Sequence, residues 1–194
     1  MSARSSTPPA LASCPPDLED ALARGGAVDA ATVRGFIEAQ RRAGLLQGDR
    51  PLCPLLSPLV LSSRTYHRMA SAAALVLRAL ERVAARALSD AALADLLGIP
   101  SRERALHAVD PGYPSAVVIG RLDMVFTGSV ADDEPSFSFI ELNAESPAGI
   151  ADQRLLEATQ LRLPVVREHV AALRVMPVDA TRALLDALLE SHRR

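Results

Sequence analysis

The chain has 194 residues, of which 49% are hydrophobic and 23% are charged, and its formal net charge at pH 7 is -2. These proportions exclude a largely disordered chain, and the lack of a basic excess argues against a nucleic-acid partner held by phosphate contacts. No run of apolar residues reaches the roughly 18 that a membrane-spanning helix needs, so no membrane partner is predicted.

Two features of the composition limit the chemistry. All 21 basic residues are arginines, so this chain alone cannot supply a Schiff-base lysine or the lysine of a P-loop. The two cysteines, Cys14 and Cys53, are far apart and have no histidine at metal-ligand spacing, so neither a structural disulfide nor a zinc site is expected. No apolar segment precedes Cys14, so no secretory signal is predicted and the cytoplasm is the expected location.

Apolar periodicity and capping residues predict a mainly helical chain interrupted by one β-hairpin. A Ser/Pro-rich tail over 1–16 precedes a helical region over 17–110, and the hairpin and C-terminal helices follow over 111–194, in one compact unit with 17–110. In the second predicted helix, the buried stripe contains Val33, Phe36, Ile37 and Ala43. The predicted helices are 17–24, 29–45, 62–88, a short helix capped by Ser89 and Asp90, 102–108, 148–161, 164–174 and 179–192, with an irregular connector over 48–58.

The pattern changes over 116–126, which is rich in β-branched residues, and over 137–143, where apolar and polar residues alternate. Both segments are predicted strands, joined by a polar loop. The fold class is therefore α/β in the broad sense, and more narrowly α+β. It is helix-rich, with a small antiparallel sheet built on a β-hairpin at about 116–143.

Side-chain alternation gives this hairpin a polar patch. A hairpin symmetric about Asp132 places Asp123 opposite Glu141 and Arg121 opposite Asn143, with Cβ atoms about 4.5–5.5 Å apart. Two carboxylates and an amide oxygen are hard ligands suited to Mg²⁺, and an adjacent arginine suits a phosphate oxygen. The alternative is a salt-bridged, solvated sheet surface, and a bulge would shift the register.

The residues of the hairpin also resemble a known family. The stretch Gly120-Arg121-Leu122-Asp123, followed after a loop by 139–147 (FIELNAESP), resembles the R-x-D and E-x-N-A-[DE]-[ST] pattern of circularly permuted, glutathionylspermidine synthetase-like ATP-grasp proteins. The resemblance implies that Asp123, Glu141 and Asn143 are Mg²⁺ ligands. It further implies that Asp123 and Arg121 bind ATP through its phosphates, and that Arg121 is catalytic at the phosphate or acyl phosphate.

The resemblance covers about 30 residues and implies only part of an enzyme. The family transfers a phosphoryl group from ATP to a small-molecule carboxylate, and an amine then attacks the acyl phosphate. Its basic nucleotide-binding residues and lid lie C-terminal to this motif, so the chain is expected to be a truncated, N-terminal half. A second ATP-grasp lobe on a separate chain is the partner that this implies.

Other interpretations stay open at this stage. The chain could be a non-catalytic helical interaction or regulatory module that keeps an ATP-grasp relic, or a protein that binds only a metal. Ser146 is predicted to cap a helix that has Pro147 at its first position. Tyr66, His67 and Arg68 lie either on a solvated helix face or near a phosphate.

Overall fold

The computed structural model describes residues 28–110, 112–113, 115–127, 134–173, 175 and 178–193. The predicted tail over 1–16 and the predicted helix over 17–24 lie outside these residues. Asp132, the centre of symmetry of the predicted hairpin, also lies outside them.

The described residues confirm the predicted fold class. About 55% of them are helical, and the strands form two antiparallel hairpins of two strands each. No helix in these ranges has both the length and the apolar character that crossing a membrane requires. The helices are α1 (Ala30–Arg42), α2 (Ser63–Ser89), α3 (Ala91–Leu96), α4 (Ser101–His107), α5 (Ile150–Gln160), α6 (Pro164–Ala172) and α7 (Ala180–His192); the strands are β1 (Leu46–Gln47), β2 (Arg50–Pro51), β3 (Arg121–Thr127) and β4 (Ser136–Asn143).

Side-chain caps set several helix starts. Asp29, Ser62 and Asp90 each accept a hydrogen bond from a backbone N–H three residues later, which satisfies an otherwise unpaired donor of the first turn. The cap predicted at Asp90 is therefore present. Helix α1 ends at Arg42 rather than at residue 45, because Gly44 adopts the left-handed conformation (φ 72°) that terminates helices.

The first hairpin replaces part of the connector predicted over 48–58. Leu46 pairs with Pro51 and Gln47 with Arg50, around a two-residue turn. Gly48 occupies the first turn position with φ 62°, a conformation that is accessible to glycine at no steric cost. The prediction missed this hairpin because each strand is only two residues long and carries no alternating pattern.

The chain divides into two compact units, each assembled from separate stretches. The first unit contains the described residues of 28–60, 127–136 and 155–176. The second unit contains those of 61–126, 137–154 and 177–193. The predicted division into 17–110 and 111–194 stays a prediction.

The first unit is built around the buried face of α1. Phe36 packs with Leu163 and Val166, and four partly buried residues surround them: Leu56, Leu156, Val165 and Val170. The predicted stripe of α1 is confirmed at Phe36 but is wrong at Val33, whose exposed fraction is 37%. The side chain of Gln40 is fully buried and holds the connector in place. Its Nε2 donates to the Cys53 carbonyl at 2.8 Å, and its Oε1 accepts from the Cys53 N–H at 3.1 Å.

In the second unit, α2 supports the strand that carries the predicted site. Glu81 Oε1 accepts from Ser115 Oγ at 2.7 Å and from the Ala116 N–H at 3.1 Å, just before β3. The Arg68 guanidinium lies over the Phe137 ring, 5.2 Å from its centroid. The α2 helix thus contacts the segment that precedes β3 and, through Arg68, strand β4.

Candidate functional site

The predicted site lies at the open end of the β3–β4 hairpin. Arg121 is the first residue of β3 and Asn143 is the last residue of β4. Because the strands are antiparallel, these two ends are neighbours. Asp123 and Glu141 lie two residues further into their strands, so strand alternation keeps each on the same face as its neighbour.

The burial pattern of β4 changes phase along the strand. Phe137 and Phe139 are half-buried, whereas Ile140 and Glu141 are both exposed and Leu142 is half-buried again. Phe137 and Phe139 are therefore more covered than Glu141, although strict alternation places all three on one face.

Aromatic contacts support this description of the covered face. The ring centroids of Phe126 and Phe137 are 6.3 Å apart, and those of Phe137 and Phe139 are 5.7 Å apart, with both pairs in edge-to-face geometry. Such pairs add specific stabilisation beyond the burial of apolar area. The apolar face of the hairpin is therefore fixed by packing, and the opposite face is free to carry the polar residues.

Arg121 and Asp123 form a two-point ion pair. Arg121 Nε donates to Asp123 Oδ1 at 2.8 Å and Nη2 lies 3.4 Å from Oδ2, in the forked geometry that guanidinium and carboxylate groups favour. The hydrogen bond to Asp123, its negative charge and the more distant charge of Glu141 raise the pKa of Arg121 above its usual value. Arg121 is therefore a permanent cation in this patch.

Asn143 links the remaining two side chains. In the amide orientation that satisfies both of its ends, its Nδ2 donates to Glu141 Oε1 at 3.1 Å, and its Oδ1 accepts from Arg121 Nη2 at 3.2 Å. The structure thus connects all four predicted site residues in one hydrogen-bonded patch. Arg121 and Asn143 are in contact, and the register of β3 against β4 stays a prediction.

The turn after β4 folds back onto the same arginine. Arg121 Nη1 donates to the Ala148 carbonyl at 3.1 Å. The turn that brings this carbonyl back contains Ser146 with φ 45° and Gly149 with φ 107°. Sequence reasoning missed Ala148 because a backbone carbonyl has no signature in the sequence.

The predicted role of Ser146 as a helix cap is wrong. Helix α5 begins at Ile150, and a residue with φ 45° does not have the extended conformation of an N-cap. Pro147 is correspondingly not the first helical residue. The segment 144–149 instead forms a turn, in which the Ala148 carbonyl accepts a hydrogen bond from Arg121 Nη1.

Gly120 lies in a closely packed place immediately before the site. A Cβ at this position would lie 3.2 Å from Val117 Cγ1, 3.3 Å from Leu142 Cδ1 and 3.7 Å from the Asn143 carbonyl oxygen. The absence of a side chain therefore lets the start of β3 approach the end of β4. This approach places Arg121 within reach of Asn143.

The donor groups of the patch suit a hard cation. Asp123, Glu141 and Asn143 offer two carboxylates and one amide oxygen, and the Asp123 side chain is 34% exposed. In the structure, the Arg121 cation pairs with one of these two carboxylates, that of Asp123. Among the described residues, no group of three or more His, Cys, Asp or Glu side chains is placed to hold a metal ion.

The other sequence candidates, Tyr66, His67 and Arg68, lie near the start of α2. Tyr66 packs edge-to-face with His67, with ring centroids 5.9 Å apart, and Arg68 lies on Phe137.

No protein family, curated protein or solved structure is significantly similar to this chain. The resemblance to permuted ATP-grasp proteins therefore stays a prediction that is based on the motif residues.

Proposed function

We propose that this chain supplies the Mg²⁺- and phosphate-contacting part of an ATP-dependent carboxylate–amine ligase of the ATP-grasp type. The supporting observation is the meeting of Arg121, Asp123, Glu141 and Asn143 on one open face of a hairpin. The proposal includes a cytoplasmic location and a second lobe, on a separate chain, that completes the ATP pocket.

The residues of the patch have distinct roles in this proposal. Asp123, Glu141 and Asn143 hold Mg²⁺, which when bound neutralises the charge of the ATP phosphates. Arg121 binds a phosphoryl oxygen and stabilises the charge that develops during transfer to the carboxylate substrate. The open face leaves room for the phosphates, since the Arg121 side chain is 43% exposed.

The test is a calorimetric titration of the full chain with Mg²⁺–ATP. We expect weak binding, which Asp123→Ala and Glu141→Ala each reduce at least tenfold because each removes a charged ligand. Asp186→Ala is the matched control, since Asp186 forms a similar ion pair with Arg182 on α7. Unchanged affinity in both site variants would reject the proposal.

A second candidate function is a non-catalytic interaction or regulatory module. It is favoured by large apolar side chains that the described structure leaves exposed, including Leu96 (82%), Leu106 (71%) and Leu75 (61%). It predicts no thermal shift with Mg²⁺–ATP and a fold that tolerates Asn143→Ala. A strong shift that depends on Asp123 would exclude it.

A further inference from the structure

The predicted cation ligands are already engaged by partners within the chain. The Arg121 fork contacts both Asp123 oxygens, and Arg121 Nη2 also donates to Asn143 Oδ1. Glu141 Oε1 accepts from the Asn143 amide. A divalent cation that binds Asp123 and Asn143 therefore competes with the guanidinium group for these oxygens.

The Arg121 guanidinium group is accessible enough to be displaced from Asp123, but it keeps its positive charge. Its side chain is 43% exposed, so solvent reaches the guanidinium group. A guanidinium group is not deprotonated in proteins, so an Arg121 that leaves Asp123 needs another anionic partner. A cation at Asp123 also repels Arg121. An oxyanion that binds the displaced arginine replaces its lost anionic partner and weakens this repulsion.

We propose that Arg121 couples two ligands, so that a divalent cation and an oxyanion each bind this patch more tightly in the presence of the other. This inference rests on the proposed function, because it takes Asp123 and Asn143 as cation ligands. Without an oxyanion, Arg121 stays paired with Asp123. Linkage then requires that the oxyanion raises cation affinity by the same factor as the cation raises oxyanion affinity.

The test measures Mn²⁺ binding to the full chain by calorimetry, in sodium chloride, sodium sulfate or sodium acetate at equal ionic strength. Equal ionic strength removes differences in general screening. Sulfate represents a tetrahedral, phosphate-like oxyanion, and acetate represents a carboxylate. We expect sulfate to tighten Mn²⁺ binding about tenfold, within the usual range of coupling between sites, and acetate to have a smaller effect; the reverse order assigns the oxyanion to the carboxylate class.

Arg121→Gln isolates the role of the guanidinium group. This variant should bind Mn²⁺ in chloride about as tightly as the wild type does in sulfate, and sulfate should no longer change its affinity. Arg182→Gln is the matched control, because it removes the same charge from a similar exposed ion pair on α7. It should keep the wild-type dependence on sulfate. Arg121→Lys, which keeps the charge but lacks the fork, should retain part of the coupling.

Several outcomes would overturn the coupling. If Arg121→Gln binds Mn²⁺ no more tightly than the wild type in chloride, Arg121 does not compete with the cation. If Arg182→Gln gives the same gain, the effect is one of net charge. If the wild type binds Mn²⁺ equally in all three salts and Asp123→Ala abolishes that binding, the coupling fails while the cation site stands. If neither protein binds Mn²⁺ in any salt, the coupling and the proposed cation site fail together.

Discussion

The Arg121 guanidinium group contacts Asp123 through Nε at 2.8 Å and the Ala148 carbonyl through Nη1 at 3.1 Å. One side chain thus binds its own strand and the turn that follows the other strand. We expect Arg121→Gln to speed amide hydrogen exchange severalfold over 144–149, because the turn loses its contact with β3. Arg182→Gln should leave that exchange unchanged, and equal exchange in all three proteins would show that the contact does not order the turn.

Ser146 should respond to substitution according to its backbone conformation. Its φ of 45° is left-handed, which is costly for β-branched residues. We expect Ser146→Val to lower the free energy of unfolding by about 1–2 kcal/mol, and Ser146→Gly to leave it unchanged or raise it. Thermal unfolding of both variants, beside Ser138→Val on the exposed face of strand β4, separates the backbone effect from a general effect of valine.

Gly120 and Gly35 should respond to larger side chains in opposite directions. A valine at position 120 would press on Val117 and Leu142, so Gly120→Val should cost about 1–3 kcal/mol. Gly35 lies within α1, and no atom comes within 4 Å of the place that a Cβ would occupy, so Gly35→Ala should raise stability by about 0.5–1 kcal/mol. Urea denaturation measures both changes, and a stable Gly120→Val variant would contradict the close approach of the two strands.

The core of the first unit depends on Phe36 far more than on its neighbour Val33. Phe36 is 4% exposed and packs on Leu163 and Val166, so Phe36→Ala should cost about 3–5 kcal/mol. Val33→Ala, on the same helix, should change stability by no more than about 0.5 kcal/mol because Val33 is exposed. Similar losses in the two variants would show that the whole predicted stripe is buried.

Asp90 should contribute a pH-dependent part of the stability. Hydrogen bonding from the Leu93 N–H, followed by that from Arg86, lowers the pKa of Asp90 below its usual value of 3.8. A carboxyl whose folded pKa is lowered stabilises the fold above pH 3.8, and this contribution is lost as the pH falls through the folded pKa.

Asp90→Asn keeps a capping side chain but cannot titrate in this range. The difference in unfolding free energy between wild type and variant should therefore be greatest near neutral pH and should shrink as the solution is made more acidic than the folded pKa. Unfolding curves from neutral to strongly acidic pH measure it. A difference that is independent of pH would contradict the lowered pKa.

The sequence by itself determined the approximate positions of the described helices and of the β3–β4 hairpin, although β3 begins at Arg121 rather than at the predicted residue 116. Apolar periodicity and capping side chains such as Ser62 and Asp90 act over three or four residues, so they can be read locally. The same local alternation indicated that Arg121 shares a face with Asp123. The short β1–β2 hairpin escaped prediction because two-residue strands contain too little pattern.

Only the tertiary structure decided how the hairpin residues are used. The contacts of Phe126, Phe137 and Phe139 cover one part of β4 and leave Glu141 exposed, which strict alternation did not anticipate. The Ala148 carbonyl contacts Arg121 and the helix begins only at Ile150, although Ser146 and Pro147 locally favour an earlier start. The Phe126–Phe137 and Arg121–Ala148 contacts join residues well separated in sequence, which patterns over three or four residues cannot relate.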